Sequence, residues 1–312
     1  MVRQSPPSAV PPLSGVFPVL ATPFLPDGAP DEAGLAAIVR YVVAAGADGV
    51  VFPGVASEFE SLTLPERSRL AAVVAETVAG AVPMVLGGSV VDPAQSDAVV
   101  GEAAALGAAA VMILAPKSLA TFAALRDFYA RAADIAGVPV MLQNAPAPVG
   151  AGLPVSLVLE VAAAVPRIAY IKEEALPSGA RISALVKGAP STLLGVLGGA
   201  GGRYLPDELA RGAIGTMPAC ELTELHAALF RAHRAGDRAA VRAHFNRMLP
   251  LLNFQAVFRM AMTKEVLRRR GIIDYADKRA AGPALDAGDH AELGELLAEV
   301  ADLLAPPLRA IH

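Results

Sequence analysis

The residue with the strongest claim to chemistry is Lys172, which ends the run Val165-Pro166-Arg167-Ile168-Ala169-Tyr170-Ile171 and is followed by Glu173 and Glu174. A short run of β-branched and aromatic residues, entered through proline and left through charge, is the pattern of a strand covered on both faces. An ammonium at the rim of an apolar interior loses hydration, which favours the neutral amine, the form that attacks a carbonyl carbon to build an imine. The other lysines, Lys117, Lys187, Lys264 and Lys278, do not terminate strand-like runs. Lys172 can equally be a plain ion-pair partner of Glu173 or Glu174, so the elements around it must decide.

Composition narrows the setting. The chain has 312 residues, 54% of them hydrophobic, enough for one large α/β domain with a substantial core. A formal charge of −4 without long runs of like charge gives no basic surface for nucleic acid or an anionic membrane. No apolar segment is long enough to span a bilayer. The single cysteine, Cys220, has no partner for an internal disulfide and no nearby Cys or His cluster for zinc, which fits a reducing cytoplasm. Met1 to Pro12, rich in Pro and Ser, reads as a loose tail rather than a signal peptide.

From Gly15 the chain alternates short apolar runs with longer Ala-rich amphipathic stretches. The strand candidates are 15–21, 49–52, 83–86, 109–114, 138–142, 168–171, 193–197 and 215–217. Helical patterns separate them, for example Asp31 to Ala45, closed by Gly46-Ala47-Asp48-Gly49, and stretches opened by Leu64-Pro65-Glu66 and Asp92-Pro93. Eight such units in about 220 residues predict a (β/α)₈ TIM barrel. No GxGxxG or GxxxxGK[ST] loop follows a strand, which disfavours a nucleotide fold. After the eighth strand the pattern is wholly helical, over 221–235, 237–248, 253–270 and 289–304. The division expected is a tail over 1–12, a barrel over 13–220 and a C-terminal helical subdomain over 221–312 that covers the barrel side or forms a subunit contact.

In such a barrel the active site lies at the carboxyl ends of the strands. The residues there are Thr22-Pro23-Phe24, Gly54 to Glu58, Gly87-Gly88-Ser89, Pro116-Lys117-Ser118, Gln143 to Pro146, Lys172-Glu173-Glu174 and Gly198 to Gly202. All five histidines, His226, His233, His244, His290 and His312, come after the eighth strand, so a histidine-ligated metal and Ser/His/Asp catalysis are disfavoured at the rim. Lysine remains as the strong nucleophile. Gly198 to Gly202 is either a close approach of backbone to a substrate carboxylate or a flexible turn. Glu58 is either a ligand-facing carboxylate or an acceptor of backbone N–H groups at a strand-to-helix turn.

Five motifs in order carry a resemblance: Ala21-Thr22-Pro23-Phe24, Gly54-x-x-x-Glu58-x-x-x-Leu62-x-x-x-Glu66, Asn144-x-Pro146, Ile171-Lys172-Glu173 and Gly212-Ala213-x-Gly215. From Gly15 to about Leu304 the chain resembles the dihydrodipicolinate synthase/N-acetylneuraminate lyase family of class I aldolases. The resemblance implies a TIM barrel with C-terminal helices, a homotetramer or dimer, no cofactor and no metal. It implies Lys172 as the Schiff-base lysine for pyruvate or another 2-oxo acid, with an aldehyde as a second substrate. It also implies substrate contacts at Ala56, Ser57, Glu58, Asn144 and Gly199.

The chain departs from the family pattern. Val55 and Ala56 stand where members carry hydroxyl residues, leaving Ser57. Gln143 replaces the tyrosine that precedes Asn-x-Pro and transfers protons. Lys117-Ser118 replaces a second tyrosine, and Pro148 occupies the place of the arginine that holds the aldehyde substrate's carboxylate. An amide cannot act as an acid or base near neutral pH. Side chains two apart on a strand share a face, so a Lys172 that points into the barrel brings Tyr170 with it and leaves Glu174 at the rim. Tyr170 is therefore expected either to supply the missing hydroxyl, with Glu174 as a base, or to be a core aromatic with Glu174 an ion-pair partner. The expected function is an imine-forming lyase or aldolase of 2-oxo acids, acting by carbon–carbon bond formation or cleavage or by dehydration. The alternatives are the condensation of pyruvate with aspartate semialdehyde and a non-catalytic 2-oxo-acid binder.

Overall fold

The computed structural model describes residues 13–305; the tail expected over 1–12 lies outside them. Eight strands alternate with helices: β1 Gly15–Val16, β2 Val50–Phe52, β3 Met84–Gly87, β4 Ala110–Leu114, β5 Val140–Asn144, β6 Ile168–Glu173, β7 Gly195–Gly198 and β8 Gly215–Thr216. All ladders are parallel and follow the order β1-β8-β7-β6-β5-β4-β3-β2. The segment after β1 closes the sheet on itself: Val51 N donates to Pro18 O and Leu20 N to Val51 O, both at 3.0 Å. The expected (β/α)₈ barrel is thus present. The first strand is shorter than the 15–21 expected, because from Phe17 to Ala21 only Val19 bridges its neighbours, Val51 on one side and Ala219 on the other.

The helices form where caps and apolar stripes agree. They are α1 Glu32–Ala44, α2 Leu64–Val78, α3 Ser96–Val100, α4 Phe122–Ala136, α5 Val155–Ala164, α6 Ser178–Gly188, α7 Leu205–Ala210 and α8 Thr223–Arg234. Asp31, Thr63 and Thr121 each accept an N–H of the first turn of α1, α2 and α4. One core lies between sheet and helices and runs without a break from Val16 to Val300. A second fills the barrel interior with Phe17, Val51, Val85, Met112, Met141, Tyr170, Leu197 and Met217, so the barrel is packed, not hollow.

Beyond α8, which packs on β1, come α9 Arg238–Phe258, α10 Met260–Arg269 and α11 Ala287–Ala298. The break expected near Pro250 is absent, and α9 runs through that proline. The buried stripe of Met248, Leu251 and Leu252 holds the turn against a proline that would otherwise cost about 3 kcal/mol. The break falls instead at Arg259, whose φ of 48° and ψ of −121° separate α9 from α10. The end of α9 lies against the glycine-rich turn after β7, so the C-terminal helices reach the carboxyl rim as well as the barrel side.

Candidate active site

A cavity of about 270 Å³ opens at the carboxyl end of the barrel, and Lys172 lines it. The chain brings the lysine there because β6 alternates from Tyr170 onward: Tyr170 joins the barrel interior, Ile171 the core beneath the helices, and Lys172 returns to the interior side. A register shift between Val140 and Met141 on β5 leaves Ala169 out of the pairing and sets this phase. Lys172 pairs with Gln143 on one side and Leu197 on the other, and its residue surface is only 4% exposed. Val19, Val55, Ala56 and Met217 make much of the wall apolar.

Glu174 is the immediate partner. Its Oε1 lies 3.3 Å from Lys172 Nζ and accepts the Ala200 N–H at 3.0 Å, while Oε2 accepts the Gln143 amide at 2.6 Å. Burial works to raise the carboxyl's pKa, but Lys172, the Ala200 N–H and the Gln143 amide outweigh it and hold the pKa below the ordinary value. The group is therefore an anion at neutral pH, a proton acceptor beside an amine. Gly199 makes the arrangement fit: a Cβ there would stand 2.3 Å from Glu174 Oε1 and 2.6 Å from its Cδ. Gly199 itself does not line the cavity; it makes room for the carboxylate that does.

The remaining expected residues divide. Gln143 and Ala56 line the cavity. Tyr170 is not brought to it, because its hydroxyl accepts the N–H of Leu13, which precedes β1 at the opposite end of the barrel, at 3.1 Å. Sharing a face with Lys172 does not place the phenol beside the amine, since the ring lies down the barrel axis among Met141, Leu197 and Met217. Ser57 is fully buried with its hydroxyl accepting from Gly54 N at 2.9 Å and donating to Leu20 O, so it clasps the β2 loop to the segment after β1. Asn144 points away from the cavity. Its amide and carbonyl bracket Leu153 at 3.0 and 2.8 Å, and it donates to Glu173, pinning the loop after β5.

Glu58, in the left-handed region at φ 58°, bridges to the C-terminal region. Its Oε1 meets Lys264 Nζ at 2.5 Å with both side chains fully buried, and its Oε2 accepts the N–H groups of Arg279 and Ala280 at 2.8 and 2.6 Å. Lys264 Nζ also stands 4.2 Å from the Phe24 ring centroid, and burial brings its pKa down to about 8 against the pull of Glu58. Of the two readings of Glu58, the geometry fits the acceptor of backbone N–H groups. Ser89 accepts Leu114 N at 2.9 Å, and His226 is buried between Leu222 O and Gly201 O. Among the described residues no group of three or more His, Cys, Asp or Glu could hold a metal ion, and no helix is long and apolar enough to cross a membrane.

Reasoning from sequence missed Arg203, Tyr204, Gln255, Arg259 and Met260, which also line the cavity. Arg203 and Tyr204 directly follow the glycine run after β7, and that adjacency is the local signal that marks them. Nothing in the sequence marks the other three, because they arrive from the α9–α10 junction.

The model of the dihydrodipicolinate synthetase family matches residues 12–292. An L-2-keto-3-deoxyarabonate dehydratase of Azospirillum brasilense is 30% identical over 92% of this chain and 94% of its own. A 4-hydroxy-tetrahydrodipicolinate synthase of Stenotrophomonas maltophilia is 31% identical over 94% and 98%. Among solved structures, a putative dihydrodipicolinate synthetase from Pseudomonas aeruginosa superposes with a TM-score of 0.82 at 27% identity, covering 93% of this chain and all of that one. Fold, motif order and these matches agree that the chain belongs to the dihydrodipicolinate synthetase family.

Proposed function

We propose that the protein is a lysine-imine lyase of 2-oxo acids in which Lys172 is the nucleophile and Glu174 the acid–base group. The observation that carries this reading is the pairing of the 4% exposed Lys172 with an ionised Glu174 at 3.3 Å in a cavity. Glu174 takes a proton from the Lys172 ammonium, the neutral amine adds to the C2 carbonyl, and the Glu174 carboxyl gives that proton to the departing hydroxyl, so that water leaves and a protonated imine remains. That cation withdraws electrons from C3, and Glu174 accepts the C3 proton as an enamine forms. The Gln143 amide, which cannot exchange a proton near neutrality, orients the carboxylate. The enamine can then attack an aldehyde, be formed by the reverse cleavage, or expel a C4 hydroxyl, to which the Glu174 carboxyl returns its proton so that water departs.

Dehydration is the outcome favoured here. A relative that aligns over nearly the whole chain is a 2-keto-3-deoxy acid dehydratase, and Pro148 replaces the arginine expected to hold the aldehyde of the synthase reaction. Borohydride reduction in the presence of pyruvate and a panel of 2-oxo acids, with intact-mass and peptide mapping, tests the imine. The expected result is a reduced adduct on Lys172 that Lys172→Arg abolishes; folded protein that traps no acid overturns the reading. Product mass from a 3-deoxy-2-oxo acid separates loss of water from cleavage into two fragments. Light scattering tests the homotetramer or dimer that the family resemblance implies.

A further inference from the structure

The cavity holds more positive charge than imine chemistry uses. Its lining carries three cations, Lys172, Arg203 and Arg259, against one carboxylate, Glu174. Glu174 is committed to Lys172, Ala200 and Gln143. Neither Arg203 nor Arg259 forms an ion pair with a carboxylate among the described residues, whereas Arg247, Arg268, Arg269, Arg270 and Arg279 all do. Two guanidinium charges thus remain open in the cavity of a chain whose net charge is −4.

Both arginines are held at the mouth by unusual backbone. Arg203 follows the turn Ala200–Gly202, in which Ala200 (φ 50°), Gly201 (φ 70°) and Gly202 (φ 83°) are all left-handed. A Cβ at Gly201 would meet Arg203 Nη1 at 3.4 Å and Gln255 Oε1 at 3.3 Å, so the guanidinium of the β7 turn and the amide of α9 face the same spot. Arg259 occupies a conformation that non-glycine residues rarely adopt. It is kept there by Arg259 N donating to Gln255 O at 2.8 Å and Thr263 N to Arg259 O at 3.0 Å. A break in the helix one residue away in either direction would turn this side chain off the mouth.

We infer that Arg203 and Arg259, with Gln255 beside them, form an anion subsite that holds a second carboxylate at the far end of the substrate. The substrate class is then a 2-oxo diacid; this identification rests on the imine reading of Lys172. Both open guanidinium charges answer that distal carboxylate, while the ketone end of the substrate is held through its bond to Lys172. A cavity of about 270 Å³ accommodates about nine groups of the ~30 Å³ that a water occupies, close to the roughly ten non-hydrogen atoms of a five-carbon 2-oxo diacid. The planar fork of arginine matches a carboxylate in two parallel hydrogen bonds, which lysine would not. The arrangement replaces, from β7 and α9–α10, the cation that Pro148 leaves missing after β5.

The test compares 2-oxoglutarate with 2-oxobutyrate in concentration-dependent borohydride trapping by the full chain and by Arg203→Gln and Arg259→Gln. The wild type is expected to trap the diacid at lower concentration. The diacid-to-monoacid ratio should fall about ten- to hundredfold in at least one variant, the range for one charge-assisted hydrogen bond. Calorimetric titration with glutarate, a diacid that has no ketone and forms no imine, reads the subsite alone and should weaken in the same variant. Thermal unfolding midpoints confirm that both variants fold. Trapping on Lys172 with a ratio and glutarate affinity indifferent to both arginines overturns the subsite and leaves the imine reading standing. Arginine-dependent glutarate binding without any trapping supports the subsite and overturns the imine reading.

Discussion

Adding one methyl group at Gly199 tests whether Glu174 is the group that moves protons. A Cβ at that position would lie 2.3 Å from Glu174 Oε1 and 2.6 Å from its Cγ and Cδ. Ordinary contact needs about 3.4 Å, so the carboxylate of a Gly199→Ala variant must retreat by about 1 Å or the β7 turn must open. Either movement strains the Ala200 N–H bond at 3.0 Å and the Lys172 contact at 3.3 Å. Overpacking of this kind costs about 1–3 kcal/mol of stability, and a 1 Å misplacement of a reacting group costs about 10²-fold in rate. The assay is exchange of the C3 hydrogens of pyruvate and 2-oxoglutarate for deuterium, followed by NMR, alongside borohydride trapping. Gly199→Ala should still trap a 2-oxo acid on Lys172 while exchange falls by about 10²-fold, and Glu174→Gln should fall by about 10²–10⁴-fold. Exchange at the wild-type rate in Gly199→Ala, with Glu174→Gln equally active, would refute the assignment of Glu174.

Other variants address the framework. Tyr170→Phe removes the acceptor for Leu13 N and should cost about 1 kcal/mol of stability in urea unfolding. Its C3 exchange should stay within about twofold of wild type, and a tenfold loss would return the phenol to the proton relay. Glu58→Gln leaves the buried Lys264 ammonium without its carboxylate, a loss of about 3–5 kcal/mol read as a drop of roughly 5–10 °C in Tm; an unchanged Tm would show that the pair is not needed. Burial raises the Glu221 carboxyl from 4.5 to about 7, so folding takes up a proton. Its stabilisation is complete below the unfolded value and lost as pH rises through about 7. Glu221→Gln should therefore gain about 2–3 kcal/mol relative to wild type between pH 5 and 8 in urea unfolding, and a pH-independent difference would show the carboxyl already ionised.

Periodicity and punctuation made the barrel legible. Each strand is a short apolar run bounded by Gly, Pro or charge, and Asp31 and Leu64-Pro65-Glu66 announce helix starts that the structure keeps, with Asp31 and Thr63 as their caps. Lys172 was legible for the same reason: alternation is local, and Tyr170, Ile171 and Lys172 keep it up to the strand end. Alternation left Tyr170 open between relay hydroxyl and core aromatic, because it states which face a side chain shares but not how far along the barrel axis its tip reaches. Local pattern failed at Pro250, where buried packing on the stripe of Met248, Leu251 and Leu252 overrides a helix breaker.

The sequence by itself determined the (β/α)₈ architecture, the place of the lysine at a strand end and the absence of a phenol before Asn144-x-Pro146. These follow from patterns that span a few residues. Only the tertiary structure decided what stands around the amine. It paired Glu174 with Lys172 through the vacant side of Gly199, turned Ser57 and Asn144 into loop clasps, and sent Glu58 to the buried Lys264. It also carried Gln255 and Arg259 to the mouth from more than 80 residues along the chain beyond Lys172. Such contacts depend on closing the barrel and docking α9 across its rim, and a contact between distant segments leaves no period in the sequence that joins them.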